Sequence, residues 1–252
     1  MEGFEGFEGF EVGPWSDLIW EGLWVTVYAT VLGTLLAAAV ALVLGLLELS
    51  RYVALRAIAR TVVEFFRGTS LVVQLFWIVF ALPVVTGYRS GEPEMNAVIA
   101  LGLNFGAYGA EVVRGSINAV PAPQREACTA LNLTAFHRFR RVILPQAVPL
   151  MIPPAGNLVI QLIKSTPLMY LVSVVDLFTV GDEMRKAETG STGLIYLGLG
   201  VVFFLLSMMV VALAQLLENQ AKRRLGQKPV SIVTTALGDA TTADVSTPGG
   251  DR

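Results

Sequence analysis

Apolar positions in this chain fall in long unbroken runs, not in stripes. Stretches without a charged side chain cover Gly22–Leu47, Gly68–Tyr88, Met95–Ala110, Val142–Ile163 and Thr189–Leu217. A helix that crosses a bilayer needs about 20 apolar residues at ~1.5 Å rise each. The runs predict about five transmembrane helices. Met95–Ala110 is the shortest, and it spans only if its helix continues through Glu111 or tilts little. A buried soluble helix would keep a polar face, and the longest runs have none. The predicted fold class is therefore an all-α integral membrane protein.

Composition agrees with that class. The chain is 54% hydrophobic and 15% charged with a mean hydropathy of +0.63, where soluble domains carry roughly a quarter charged residues. Of the 18 lysines and arginines, all but Arg89, Lys164, Arg185 and Lys186 lie in three places: Arg51–Arg67, Arg114–Arg141 and the tail from Lys222. Those places alternate with cation-poor segments. The positive-inside bias then predicts an outer N-terminus and a cytoplasmic C-terminus.

Both ends read as tails. Residues 1–16 carry the acidic, glycine-rich repeat EGFEGFEGFE, with Phe4, Phe7 and Phe10 available to the membrane interface and no positive stretch of a cleaved signal. Residues 223–252 are rich in Thr, Ala, Gly and Asp and read as a disordered cytoplasmic tail. Residues 17–222 are the expected membrane domain.

The chemistry the chain lacks narrows its role. The single Cys128 excludes an internal disulfide, and the lone His137 without clustered ligands gives no metal site. No phosphate-cradling G-x-x-x-x-G-K-[ST], nucleophile elbow or HExxH occurs, so no catalytic residue is assigned. Any transport would draw on an ion gradient or on a separate ATPase.

The segment EACTALNLTAFHRFRRVILPQA (126–147) is charged and helix-prone, set between apolar runs. It predicts a helix after Pro123, a turn near Asn132 and a second helix up to Pro145. This loop, about residues 115–145, suits a docking surface for a soluble partner. The plainer alternative is a solvated loop in which Arg138, Arg140 and Arg141 anchor to the membrane surface.

This segment resembles the E-A-A-x(3)-G-x(9)-I-x-L-P signature loop of importer-type ABC permeases. Glu126 and Ala127 match its start, Val142 stands for the Ile, and Leu144 and Pro145 match its end; Cys128 and Asn132 depart from it. The resemblance implies a type I ABC importer permease fold whose coupling helix lies in a groove of an ATPase. Glu126 would pair with a cation there, and Ala127, Ala130, Leu131 and Leu133 would pack beside the turn at Asn132. It implies an ABC ATPase homodimer carrying the ATP and Mg, with no cofactor on this chain. It also implies a second homologous permease or a copy of this one, an extracytoplasmic substrate-binding protein and a bacterial cytoplasmic membrane, with no role for nucleic acid.

A second stretch, Glu64–Gln74 (EFFRGTSLVVQ), is similar to the E-x-F-R-G-T-P-L-x-x-Q segment of polar amino acid permeases, and Asn157–Pro167 (NLVIQLIKSTP) to their N-x(6)-K-x-T-S-L stretch. With Asn104–Arg114 the likeness covers about residues 16–222. It implies a path for a polar amino acid, and its nearest branch in appearance imports ectoine and hydroxyectoine. Leu158, where some relatives carry an acid, points from a cationic substrate toward a zwitterion. Glu64 and Arg67 sit one turn apart and are expected to pair. Lys164 either lines a polar cavity next to the Ser165-Thr166-Pro167 break or anchors at the outer interface. Gln74, Asn157, Gln161, Ser165 and Thr166 complete the candidate path. An ion-coupled secondary transporter would show inverted repeats, and a non-transporting scaffold would not need the Glu126 loop; both remain alternatives on the residues alone.

Overall fold

A computed structural model describes residues 15–87, 93–187 and 189–224. The repeat with Phe4, Phe7 and Phe10, Arg89, and the tail from residue 225 lie outside the described residues. The ordered elements are helices: α1 (Ser16–Glu48), α2 (Val53–Gly68), α3 (Leu71–Phe76), α4 (Leu82–Thr86), α5 (Pro93–Asn118), α6 (Ala122–Ala130), α7 (Ala135–Arg138), α8 (Leu144–Ser165), α9 (Leu177–Ala187) and α10 (Thr192–Arg224). Helices α1, α5, the α7–α8 rod and α10 are each long and apolar enough to cross a membrane. A fifth span exists if the pair formed by α2 and Leu71–Thr86, bent by 105°, counts as one.

One condition read from the sequence is met here, and one expectation changes. The Met95–Ala110 run does continue through Glu111, to Asn118. The second span, expected as one helix over Gly68–Tyr88, instead breaks at Thr69 and Ser70, and α2 is a separate helix. Buried polar side chains hold that break. Gln74 Nε2 donates to Phe66 O (2.8 Å) and to Thr69 Oγ1 (2.6 Å), while Asn104 Nδ2 donates to Phe66 O and to Gln74 Oε1, both at 3.1 Å. Asn104 thus supplies from α5 the partners that the interrupted helix loses, which buried backbone carbonyls require.

Helices α1 and α5 form the centre of the bundle and run parallel. Leu36 lies over Gly102, Val40 over Gly106 and Ala41 over Gly109, and on the other side Gly45 receives Val113. A Cβ on Gly106 would come within 2.7 Å of Val40. Lipid offers apolar side chains no hydrophobic gain over one another, so close backbone approach supplies the attraction. Gly102, Gly106 and Gly109 are therefore filled by α1 of the same chain. Leu75, Leu101, Phe105, Leu162 and Met169 close the core on one side of this pair.

Two π-helical segments, Trp77–Ala81 and Phe139–Ile143, share one cause. Each ends two residues before a proline, Pro83 and Pro145. Proline lacks an N–H and its ring crowds the carbonyl four residues earlier, so the preceding turn widens. The seven-residue 3-10 helix Thr166–Val172 likewise follows from Pro167 at its start.

Candidate coupling and translocation sites

The predicted turn at Asn132 is present with its geometry resolved. Helix α6 ends in two capping bonds, Leu133 N to Cys128 O and Asn132 N to Thr129 O, both at 3.0 Å. Between them Asn132 adopts φ +53°. This is a Schellman closure, and the left-handed residue is one that asparagine tolerates better than other side chains. The departure from glycine at this position is therefore conformationally silent. Thr134 then caps α7, with Oγ1 accepting from His137 N.

The hairpin of α6 and α7 is braced from within. Arg125 Nη2 donates to Ile117 O at the end of α5, Arg138 Nη1 donates to Thr129 Oγ1 at 3.1 Å, and Cys128 is buried beneath. The outward face carries Glu126, Ala127, Ala130, Asn132 and Leu131, the last 73% exposed, with Leu133 half-buried beside them. Glu126 has no ion-pair partner among the described residues. A rigid, exposed, largely apolar helix end can transmit rigid-body motion to a partner. Leu144 and Pro145 open α8 and join this hairpin to the membrane rod.

Along α8 the polar residues form one stripe. Asn157, Gln161 and Lys164 recur at helical spacing on one face, and all three are exposed in the single chain. The opposite face of α8 packs on α1, α5 and α10, with Leu162 against Gly33 of α1, Leu158 against Gly109 of α5 and Gly156 against Ala214 of α10. Pro149, Pro153 and Pro154 lie inside α8, so the carbonyls of Pro145, Pro149 and Leu150 lose their ordinary amide donors four residues on. Leu150 and Pro153 continue the exposed stripe toward the loop. Backbone freed at membrane depth is tolerated where it lines a wet cavity or is buried in protein. By contrast, two clefts within the chain, about 240 and 420 Å³, are lined by apolar side chains except for Thr34 in both and Thr30 in the second. They offer no donor set for a charged solute.

The remaining candidate path residues are dispersed. Ser165 is half-buried and its Oγ donates to Gln161 O, while Thr166 is buried and its Oγ1 donates to Ile163 O, both at 2.9 Å. Both hydroxyls support the helix break beside Lys164. Gln74 is buried in the α2–α3 break, away from the α8 stripe. The expected Glu64–Arg67 pair does not form. Glu64 instead takes Arg60 at 2.8 Å, the i−4 residue of α2, and Arg67 reaches Glu111 of α5 at 3.2 Å with its guanidinium over the Tyr108 ring. The sequence reading missed Glu48, Glu111 and Arg114. Arg114 forms an ion pair with Glu48 at 3.0 Å and also takes Glu111. The signal was available, because Glu48 and Glu111 are the charges that end the first and third apolar runs.

At the far end from the coupling loop, α9 is docked by Leu177 N donating to Thr26 Oγ1 at 3.1 Å. Asp176 starts α9, its Oδ1 accepting from Thr179 N (2.9 Å) and Thr179 Oγ1 (2.7 Å), and Oδ2 is buried without a partner. Burial raises the Asp176 carboxyl above the usual range. Asp182 shows the opposite shift, held down at about 2 by hydrogen bonds from Lys186 and Arg185.

Known proteins share this sequence and arrangement. Residues 29–223 match the family described as binding-protein-dependent transport system inner membrane component. The probable amino-acid ABC transporter permease protein y4tF of Sinorhizobium fredii is 37% identical over 212 residues, which cover 82% of this chain and 88% of that protein. The L-cystine transport system permease protein TcyB of Bacillus subtilis is 34% identical over 184 residues, 73% of this chain and 78% of that one. Among solved structures, an amino acid ABC transporter crystallised with histidines superposes with a TM-score of 0.74 at 28% identity, covering 82% of this chain and 95% of its own.

Proposed function

Because the chain belongs to the family of binding-protein-dependent transport system inner membrane components, and so is a multi-pass inner-membrane permease with the type I ABC importer fold and not an ATPase, we propose that it carries a zwitterionic amino acid or amino-acid derivative along α8. The observation that carries this reading is the exposed stripe of Asn157, Gln161 and Lys164 on a membrane-length helix. Three polar side chains facing lipid would cost several kcal/mol in all, whereas a water-filled seam accommodates them. A second permease, homologous or identical, closes that seam. Lys164 meets the carboxylate of the solute, Gln161 and Asn157 its remaining polar atoms, and Ser165 and Thr166 fix the break that leaves Lys164 projecting. Glu64, exposed beside Arg60 on α2, is the acidic group available to a positive end.

The α6 hairpin docks on a separate ATPase homodimer, which carries ATP and Mg. Glu126 pairs with a cation of that partner, and Ala127, Ala130 and Leu131 pack into its groove. An extracytoplasmic binding protein delivers the solute. In its narrowest form the proposal names ectoine and hydroxyectoine, each a carboxylate joined to a delocalised cation, as the cargo.

The experiment is uptake by the reconstituted complex. The permease, its partner permease, the ATPase and the binding protein are placed in liposomes, and labelled amino acids and ectoine are offered with ATP inside. ATP-dependent accumulation of a zwitterion supports the reading. Accumulation driven by a proton or sodium gradient without ATP would overturn it.

A further inference from the structure

We propose that α2 is an interfacial helix that binds the anionic lipid headgroups of the leaflet on the coupling-loop side; naming that leaflet rests on the transport reading above. Three independent observations meet on this helix. The first is its direction. Helix α2 meets Leu71–Thr86 at 105°, about 15° beyond a right angle. With the following helices tilted from the normal by the ordinary ~20°, α2 lies within about 35° of the membrane plane.

Depth is the second. Glu48 closes the uncharged run of α1 and Glu111 that of α5, and Arg114 binds both. Arg67, at the end of α2, joins the same belt through Glu111. A ring of charges at one level on three helices marks the edge of the hydrocarbon, and α2 runs from that level.

The third is the distribution of side chains around the helix. Ala59 and Val63 are buried against the protein. On one side of that line Leu55, Ile58 and Phe65 form a stripe that is 43%, 63% and 60% exposed. On the other side lie Arg56, Arg60, Glu64 and Arg67. Apolar and charged stripes thus face opposite ways across the helix, as on a helix lying at a membrane surface. Arg56 has no ion-pair partner among the described residues. At the start of α2, Arg51 donates to the Tyr52 hydroxyl at 2.7 Å and lies over its ring, with Tyr52 itself exposed. Tyrosine and arginine together suit the headgroup level. Arg51 and Arg56 are the cations left to meet phosphates, each contributing a gain of about fivefold in local anionic lipid.

The test uses the complete transporter with Cys128→Ala and single cysteines at Leu55, Ile58 or Ala57, each carrying an environment-sensitive fluorophore. The probes are vesicles of phosphatidylcholine with shallow-acyl nitroxide quenchers on either phosphatidylglycerol or phosphatidylcholine. Probes at positions 55 and 58 are expected to be quenched strongly and the probe at 57 weakly. The phosphatidylglycerol quencher is expected to act the more strongly, with its advantage lost in Arg51→Gln/Arg56→Gln. Probes at 55 and 58 shielded from both quenchers would mean that a protein partner covers the stripe and would overturn the proposal. Equal action of both headgroups would overturn its anionic part. Uptake measured in the same vesicles separates the two readings, since lost transport with retained quenching counts only against the transport proposal.

Discussion

Arg67 of α2 forms an ion pair with Glu111 of α5 at 3.2 Å, although Glu64 lies one turn away on its own helix. Glu111 receives Arg114 as well, and Arg114 reaches on to the buried Glu48 at the end of α1. One glutamate therefore joins the arginines of two helices beside the loop that is proposed to receive the ATPase. These ion pairs are partly open to solvent, so each contributes modestly. Their shared carboxylate makes the loss of Glu111 felt by both arginines. Glu111→Gln is expected to lower stability by about 1 kcal/mol and to loosen α2, while Glu64→Gln leaves stability nearly unchanged. Thermal unfolding in detergent with intrinsic fluorescence checks the contrast.

The α1–α5 seam gives a larger effect. Gly106→Val places new atoms where Val40 already stands, with the first of them 2.7 Å from it. Overpacking of this kind is expected to cost about 1–3 kcal/mol. Gly193→Val, at a position with open space around it, is the control. Folded yield by size-exclusion chromatography should fall for the first and hold for the second.

Glu126→Lys reverses the charge on an exposed, braced helix end. The variant is expected to insert and fold normally, because Glu126 has no ion pair within the described residues. Its affinity for the ATPase should drop by about tenfold or more, as when a paired interfacial charge is reversed. Copurification of the ATPase, with uptake in the same preparation, measures this; unchanged recovery and uptake would remove the coupling role from Glu126.

Two aspartates beside α9 predict opposite pH dependences. Asp182 sits at about 2 through Lys186 and Arg185, below the unfolded value of about 3.9. Its stabilising contribution is therefore complete above the unfolded value and is lost as pH falls toward about 2. Asp176 is raised by burial, so its contribution favours the fold at low pH and is lost as pH rises through its folded value. Asp182→Asn should destabilise most at neutral pH and converge on wild type in acid. Asp176→Asn should gain on wild type as pH rises. Melting temperatures over an acid-to-neutral series test both signs.

Much of this fold was legible because membranes impose length and hydropathy on helices. The inner end of α1 at Glu48 and the break at Ser165-Thr166-Pro167 followed from local residue types, while the start of α1 at Ser16 lies six residues before its uncharged run. The turn at Asn132 followed as well, since a left-handed residue favours few side chains. What was not legible depended on partners distant in sequence. The break at Thr69 is held by Asn104, thirty-odd positions on, and no local pattern in α2 announces it. That same break swung Arg67 toward Glu111, leaving Glu64 to Arg60. Gly102, Gly106 and Gly109 showed that some helix comes close, but not that it belongs to the same chain. The α8 stripe was visible as three polar residues at helical spacing, while its exposure needed the packing of α1, α5 and α10 on the opposite face.

The most direct measurement of the translocation role is the uptake rate of Lys164→Ala in the reconstituted transporter, normalised to permease in the membrane. Lys164 lies at the end of the exposed α8 stripe, beside the 3-10 turn that begins at Thr166. If the stripe lines the path and Lys164 meets the solute carboxylate, uptake should fall by at least about tenfold, equivalent to about 1.4 kcal/mol. Basal ATP hydrolysis should persist, and stimulation by the loaded binding protein should be lost. Wild-type uptake at an equal membrane level would contradict the assignment and make Lys164 a surface anchor.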